Sequence, residues 1–172
     1  MSPRFVVDAM LGKLARWLRI LGLDVRYSAS YSDEDLLKVA KNEGRIIVTR
    51  DRLLVIKAKK EGLRAILLPP GRLEELLALL SLRCNFNLEF SPERTRCPLC
   101  NSRLIMVSDP SKLRVTWTPP VSSDYYWVCP RCGHVYWKGR HFREIDAVLR
   151  AARRLLKLKG SLSSDSVTKG VH

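Results

Sequence analysis

Two cysteine pairs and three aspartates carry most of the reactive chemistry in this chain. Cys97 and Cys100 sit in CPLC, Cys129 and Cys132 in CPRC, and residues 101–128 separate the pairs. A Cys-x2-Cys turn aims two thiolates at one point. Two such turns complete a tetrahedron of sulfur around Zn²⁺. Asn101 and Gly133, each directly after the second cysteine of its pair, suit the positive φ that such a turn needs. With all four ligands from protein the ion has no open position, so it is expected to be structural and to fold a module too small to hold itself together. Two disulfides or an iron–sulfur cluster are the competing readings. The fifth cysteine, Cys84, stands alone and is expected to be buried.

The aspartates occupy matching places. Asp8 follows the apolar run FVV, Asp51 ends GRIIVTRD, and Asp33 opens SDEDLL. A carboxylate at the end of a buried strand is costly unless something pairs with it. In a parallel α/β sheet ligands bind at the carboxyl ends of the strands, which would bring Asp8 and Asp51 to one edge with Asp33 above it. Clustered carboxylates repel unless a cation sits among them, and Mg²⁺ or Mn²⁺ is the natural hard occupant. Each residue also has a simpler role. Asp51 could N-cap a helix starting at Arg52, and Asp33 and Asp35 could favour a helix dipole, with Ser32 and Asp35 resembling a capping box. Asp35 is a possible additional acidic ligand. Cations surround these positions: Lys13, Arg16 and Arg19 are spaced three apart and expected on one helix face, and Arg50 and Arg52 flank Asp51. Such a set could hold backbone phosphates beside an acidic metal site. A solvated helix face is the simpler alternative. Thr49 could contact a phosphate or a metal-bound water, and Gly12 would let a phosphate approach the backbone.

The elements that must position these groups are legible as an alternation. FVV, LDVRYS, RIIVTRD and RAILLPPG read as strands; LGKLARWLRILG, SDEDLLKVAKNEG, RLLVIKAKKEG and RLEELLALLSL read as helices. Strand and helix at this spacing imply a parallel sheet with helices on both faces. Near Phe90 the pattern changes to cysteine pairs, prolines and β-prone stretches, RLIMV, RVTWT and YYWVC, which read as a small β module. Its aromatics would suit stacking on bases and would equally suit a packed mini-core. An amphipathic helix follows, apolar at Ile145, Val148, Leu149, Ala152, Leu155 and Leu156, with Arg143, Arg150, Arg153, Arg154, Lys157 and Lys159 on its other face. The organisation is therefore 1–92, an α/β domain; 93–141, a β module; 142–159, a basic helix; and 160–172, a Ser-rich tail expected to be disordered.

The chain has 172 residues, 46% hydrophobic and 28% charged, enough to bury a core. Its longest apolar stretch, LLALLSL, is too short for a bilayer, and the N-terminus lacks the apolar core of a secretory signal, so no membrane partner and a cytoplasmic location are expected. The net charge is +14. Basic residues outnumber acidic ones in residues 1–92, 93–140 and 141–172 alike, which suggests a polyanionic partner, most simply nucleic acid.

VDAMLGKLARWLRILGLDV, SDEDLL, EGRIIVTRD, CPLCN, CPRCG and VYWKGRHF occur in this order over about residues 4–142. Together they resemble the Mut-seven C-terminal RNase family, PIN-like nuclease domains followed by a zinc ribbon. The resemblance implies a PIN-like parallel sheet flanked by helices at 1–92, a zinc ribbon at 93–141, and a metal-dependent ribonuclease hydrolysing RNA phosphodiester bonds. Asp8, Asp33 and Asp51 match the acidic catalytic positions that would hold Mg²⁺ or Mn²⁺, and the four paired cysteines match the structural zinc ligands. Lys13, Arg16, Arg19, Thr49, Arg50, Arg153 and Arg154 are the expected contacts to single-stranded or structured RNA, and no small-molecule cofactor is implied. His141, in the closing motif, is expected to be structural rather than a proton donor. A non-catalytic RNA- or ribosome-binding zinc-ribbon protein is the rival reading.

Overall fold

The computed structural model describes residues 2–112 and 123–164, without the side chains of residues 110 and 159–164. The expected strand RVTWT, Trp117, the Lys159 side chain and residues 165–172 lie outside what is described. The first part runs β1 (Arg4–Val7), α1 (Gly12–Ile20), β2 (Asp24–Tyr27), α2 (Asp33–Glu43), β3 (Ile46–Thr49), α3 (Arg52–Lys60), β4 (Ala65–Leu67) and α4 (Leu73–Cys84). The strands form one parallel sheet in the order β2-β1-β3-β4. All four residues of β3 are buried, as a parallel strand covered on both faces requires. Alternation divides the side chains between two cores. Phe5, Val7, Ile46 and Val48 meet Leu14 and Leu18 of α1 and Leu77 and Leu80 of α4. Val6 and Ile47 meet Leu36 and Ala40 of α2 and Leu54 and Ala58 of α3.

Strand order makes the site. The chain leaves β1 toward one face and leaves its neighbour β3 toward the other. Adjacent strands whose connections diverge open a crevice at their carboxyl ends. The opposite edge of the sheet is closed by Arg45, whose side chain is 4% exposed. Its Nη1 donates to Asp24 Oδ1 at 2.9 Å and to the Phe5 carbonyl at 3.2 Å, and its Nε donates to Glu43 at 2.7 Å.

The second part is an antiparallel sheet, β5 (Ile105–Val107), β6 (Tyr126–Val128) and β7 (Val135–Trp137), in that order. It is fastened to the edge strand β2. The Val25 amide donates to Asn101 Oδ1 at 3.0 Å, and the Val25 carbonyl accepts from Arg19 Nε and Nη2. Arg19 Nη1 also reaches the carbonyls of Pro98 and Leu99 in the first cysteine turn, at 2.9 and 3.0 Å. The unpaired edge of the sheet is thereby covered by side chains rather than left open to another strand. Gly22, at φ +84°, permits the close passage: a Cβ there would lie 2.7 Å from the Arg94 carbonyl oxygen.

The last helix, α5 (Arg140–Ser164), begins before the expected 142 and continues past 159 into the segment expected to be disordered. Gly160 costs a helix interior only about 1 kcal/mol, too little to stop it. Rather than standing apart, α5 packs on α4, burying Ile145, Leu149 and Ala152 in the first core. Leu149→Ala is therefore expected to destabilise the whole α/β unit by about 2–5 kcal/mol in urea unfolding. A loss below about 0.5 kcal/mol, the range of ordinary surface substitutions, would show that the helix does not close that core. No helix among the described residues is long and apolar enough to cross a membrane.

Candidate functional site

At the β1/β3 crevice one buried hydroxyl ties two aspartates together. The Asp8 amide donates to the Val48 carbonyl at 3.0 Å, extending the sheet pairing to Asp8 itself. Thr49 is 0% exposed. Its Oγ1 donates to Asp8 Oδ2 at 2.6 Å and accepts from the Asp51 amide at 2.9 Å. Thr49 is thus sealed from solvent, and the expected contact to a phosphate or a metal-bound water is corrected: it orients Asp8. Asp51 does cap α3, its Oδ1 accepting from the amides of Leu53 and Leu54 at 2.7 and 3.3 Å. The other oxygens, Asp8 Oδ1 and Asp51 Oδ2, have no donor among the described residues. Gly12 also differs from expectation. A Cβ there would collide with the Tyr27 hydroxyl, so its bareness serves packing by Tyr27, whose hydroxyl donates to the Ala9 carbonyl and braces the turn behind Asp8.

Asp33 and Asp35 have partners of their own. Asp33 Oδ2 lies 3.6 Å from Lys57 Nζ, an exposed ion pair on the α2–α3 side. Asp35 closes a capping box: its Oδ2 accepts from the Ser32 amide at 2.9 Å and Ser32 Oγ at 2.8 Å. Those bonds hold the Asp35 carboxyl below its ordinary range. Asp35 thus fills the simpler of the two roles open to it, that of a cap. Among the described residues, the only His, Cys, Asp or Glu set of three or more gathered for one ion is the cysteine set. Asp8, Asp33 and Asp51 do not close into another. What the crevice offers is two carboxylates with free oxygens. Mg²⁺ commonly takes one or two carboxylates and completes its shell with water and substrate phosphate, so the donor set fits a hard divalent ion.

Of the expected RNA contacts, Lys13, Arg16, Arg50 and Arg154 are exposed and Arg153 is half-buried. Arg153 gives one nitrogen to the Leu88 carbonyl at 2.8 Å. Arg19 is corrected outright. It is 4% exposed and spends its donors on backbone carbonyls, so its role is to join the ribbon to β2. The spacing gave no hint of this role, nor of the parallel one of Asn101, which donates to Asp24 at 2.8 Å. His141 is 81% exposed, with Glu144 at 3.8 Å one turn along the helix.

The four Sγ atoms of Cys97, Cys100, Cys129 and Cys132 lie within 4.8 Å of one another, with closest pairs at 3.3 and 3.6 Å. Ligands about 2.3 Å from a tetrahedral zinc stand about 3.8 Å apart, so the set fits one ion. The two turns are built alike. The Asn101 and Gly133 amides donate to the carbonyls of Cys97 and Cys129, both at 2.9 Å, with φ of +70° and +74°. Tyr136 Oη lies 3.3 Å from Cys97 Sγ, within hydrogen-bond reach, and burial pushes its hydroxyl pKa up. Cys84 is half-buried, and burial pushes its thiol pKa up.

Residues 3–149 match the family model described as the Mut7-C RNAse domain. No curated protein and no solved structure matches the chain.

Proposed function

Because the chain belongs to the Mut7-C RNAse domain family, we propose that it is a metal-dependent endoribonuclease whose centre is the Asp8–Asp51 pair. One observation carries the reading: a single buried hydroxyl, Thr49 Oγ1, aligns Asp8 and the Asp51 backbone at the carboxyl ends of β1 and β3, leaving one oxygen of each carboxylate unclaimed. Asp8 Oδ1 and Asp51 Oδ2 would hold Mg²⁺ or Mn²⁺. Such an ion supplies Lewis acidity, lowering the pKa of water and offsetting charge on a phosphate. Lys13, Arg16 and Arg50 would hold backbone phosphates on either side of the crevice, which fixes the scissile bond relative to the carboxylates. Asp33, ion-paired with Lys57, is left out of the proposed centre. The cysteine set would hold zinc as a structural ion.

The test is cleavage of labelled single-stranded RNA by zinc-loaded protein, with Mn²⁺ added or omitted. Internal cuts that require Mn²⁺ are expected. Tight binding without cuts would contradict the reading and favour a non-catalytic RNA- or ribosome-binding protein, in which Asp51 is only a cap.

Thr49 gives a sharper handle. Thr49→Val keeps shape and burial but removes the hydroxyl. Partners behind metal ligands typically contribute 10–100-fold, so a rate loss of about that size is expected, together with a higher Mn²⁺ concentration for half-maximal rate. An unchanged Mn²⁺ requirement would show that Thr49 does not position Asp8 for metal.

A further inference from the structure

A groove of about 510 Å³ opens between the outer face of α1, the ribbon and the start of α5. Its walls are aromatic: Trp17 from α1, Phe90 from the connector, Trp127 and Trp137 from the ribbon, and Phe142 from α5. The Phe142 ring meets Phe90 edge-on with centroids 5.0 Å apart, and lies tilted to Trp127 at 5.9 Å. Arg16 lines the groove from the α1 side and is exposed. From the start of α5, His141 and Glu144 also line it, and Arg140 and Arg143 on the same turn are exposed. One further atom points to a ligand. Trp127 is 8% exposed, and its Nε1 is the one buried side-chain nitrogen or oxygen among the described residues without a hydrogen-bond partner. Buried donors in folded proteins are nearly always satisfied, so this one calls for a partner that the described residues do not supply.

We infer that this groove is a nucleobase-binding site, taking unpaired bases of the RNA strand whose backbone passes the Asp8–Asp51 edge. The inference rests on the RNA reading above. Arg16 lies one turn along α1 from Gly12, about 6 Å down the axis. A strand held by Lys13 and Arg16 at its phosphates would therefore turn its bases directly into the aromatic walls. Every base has a π face for such walls and, except adenine, a carbonyl for an indole N–H. Aromatic platforms beside a cationic track are how single strands are held without regard to sequence. A duplex, with its bases stacked inside, cannot use the groove. The flanking cations and the +14 net charge favour a polyanion with aromatic appendages over an apolar peptide.

The experiment uses full-length, zinc-loaded protein carrying Asp8→Asn, so that RNA stays intact; Asp8 does not line the groove. Tryptophan emission and anisotropy are followed while adding a short single-stranded RNA, or an abasic oligomer of equal length. The RNA should quench the emission and bind about tenfold more tightly than the abasic chain, the equivalent of one stacked base. Phe142→Leu should remove most of that difference. Arg16→Ala, at an exposed position that folding does not need, should weaken both ligands. Equal affinities with unchanged emission would overturn the inference, as would quenching by an apolar peptide and not by RNA. If wild-type protein still cuts RNA in the presence of Mn²⁺, that result removes the groove alone and leaves the nuclease reading standing.

Discussion

Asp8→Asn is expected to lower Mn²⁺-dependent RNA cleavage about a thousandfold, the several kcal/mol that a bound divalent ion contributes to a phosphoryl transition state. The fold should be untouched. Asp8 precedes a short 3-10 turn but makes no side-chain cap bond there, and asparagine keeps an oxygen that can accept from Thr49. Asp51→Asn should behave alike for a different reason. Asparagine caps a helix as well as aspartate does, so α3 keeps its start while the charged ligand is lost. Asp35→Asn is the control: its carboxylate closes the capping box of α2, and cleavage should remain close to wild type. Initial rates and thermal melts on the same preparations separate these outcomes. Retained cleavage in Asp8→Asn would rule out the proposed centre.

Cys97→Ser should be as severe for the fold as Asp8→Asn is for activity. Structural zinc sites in small modules carry about 10–16 kcal/mol of binding free energy that is also folding free energy. Cys97 is buried, and its turn presents the Pro98 and Leu99 carbonyls to Arg19 and the Asn101 side chain to β2. Losing the ion should therefore release the edge of the parallel sheet as well as the ribbon. Metal analysis should fall from one zinc per chain to none, protease should cut within the ribbon, and the melting temperature should drop. Retention of one zinc per chain in the variant would contradict the four-cysteine assignment. A wild-type mass showing two disulfides would do the same.

Local signals explain what could be read in advance. The strand and helix alternation, the capping box at Ser32, and the positive φ at Asn101 and Gly133 all depend on neighbours in sequence, and all appear where expected. Arg19 shows the limit. Steps of three residues fall about 60° short of a full turn, so Arg19 lies about 120° around the helix from Lys13. That rotation takes it off the exposed face and onto the cysteine turn. The role of Thr49 is not local either, because nothing in its neighbourhood says that β1 and β3 are adjacent and that Asp8 will arrive 2.6 Å away. The same ignorance of strand order hid Arg45. The apolar stripe of the last helix announced that something must cover it, but only the packed chain shows that α4 does. The ribbon's aromatics fitted a mini-core and a stacking surface equally well. They serve as both: Tyr126 and Val135 form the small core with Trp137 packed against it, and Trp127, Val135 and Trp137 line the groove.

The most direct measurement is a Mn²⁺ titration of zinc-loaded protein followed by electron paramagnetic resonance, in wild type and in Asp8→Asn, without RNA. If Asp8 and Asp51 hold the ion, the free Mn²⁺ signal of the wild type will be suppressed until one equivalent is bound, and Asp8→Asn will lose that site while keeping its zinc. Identical titrations for the two proteins would mean that the carboxylates at the β1/β3 crevice serve the fold and not a metal.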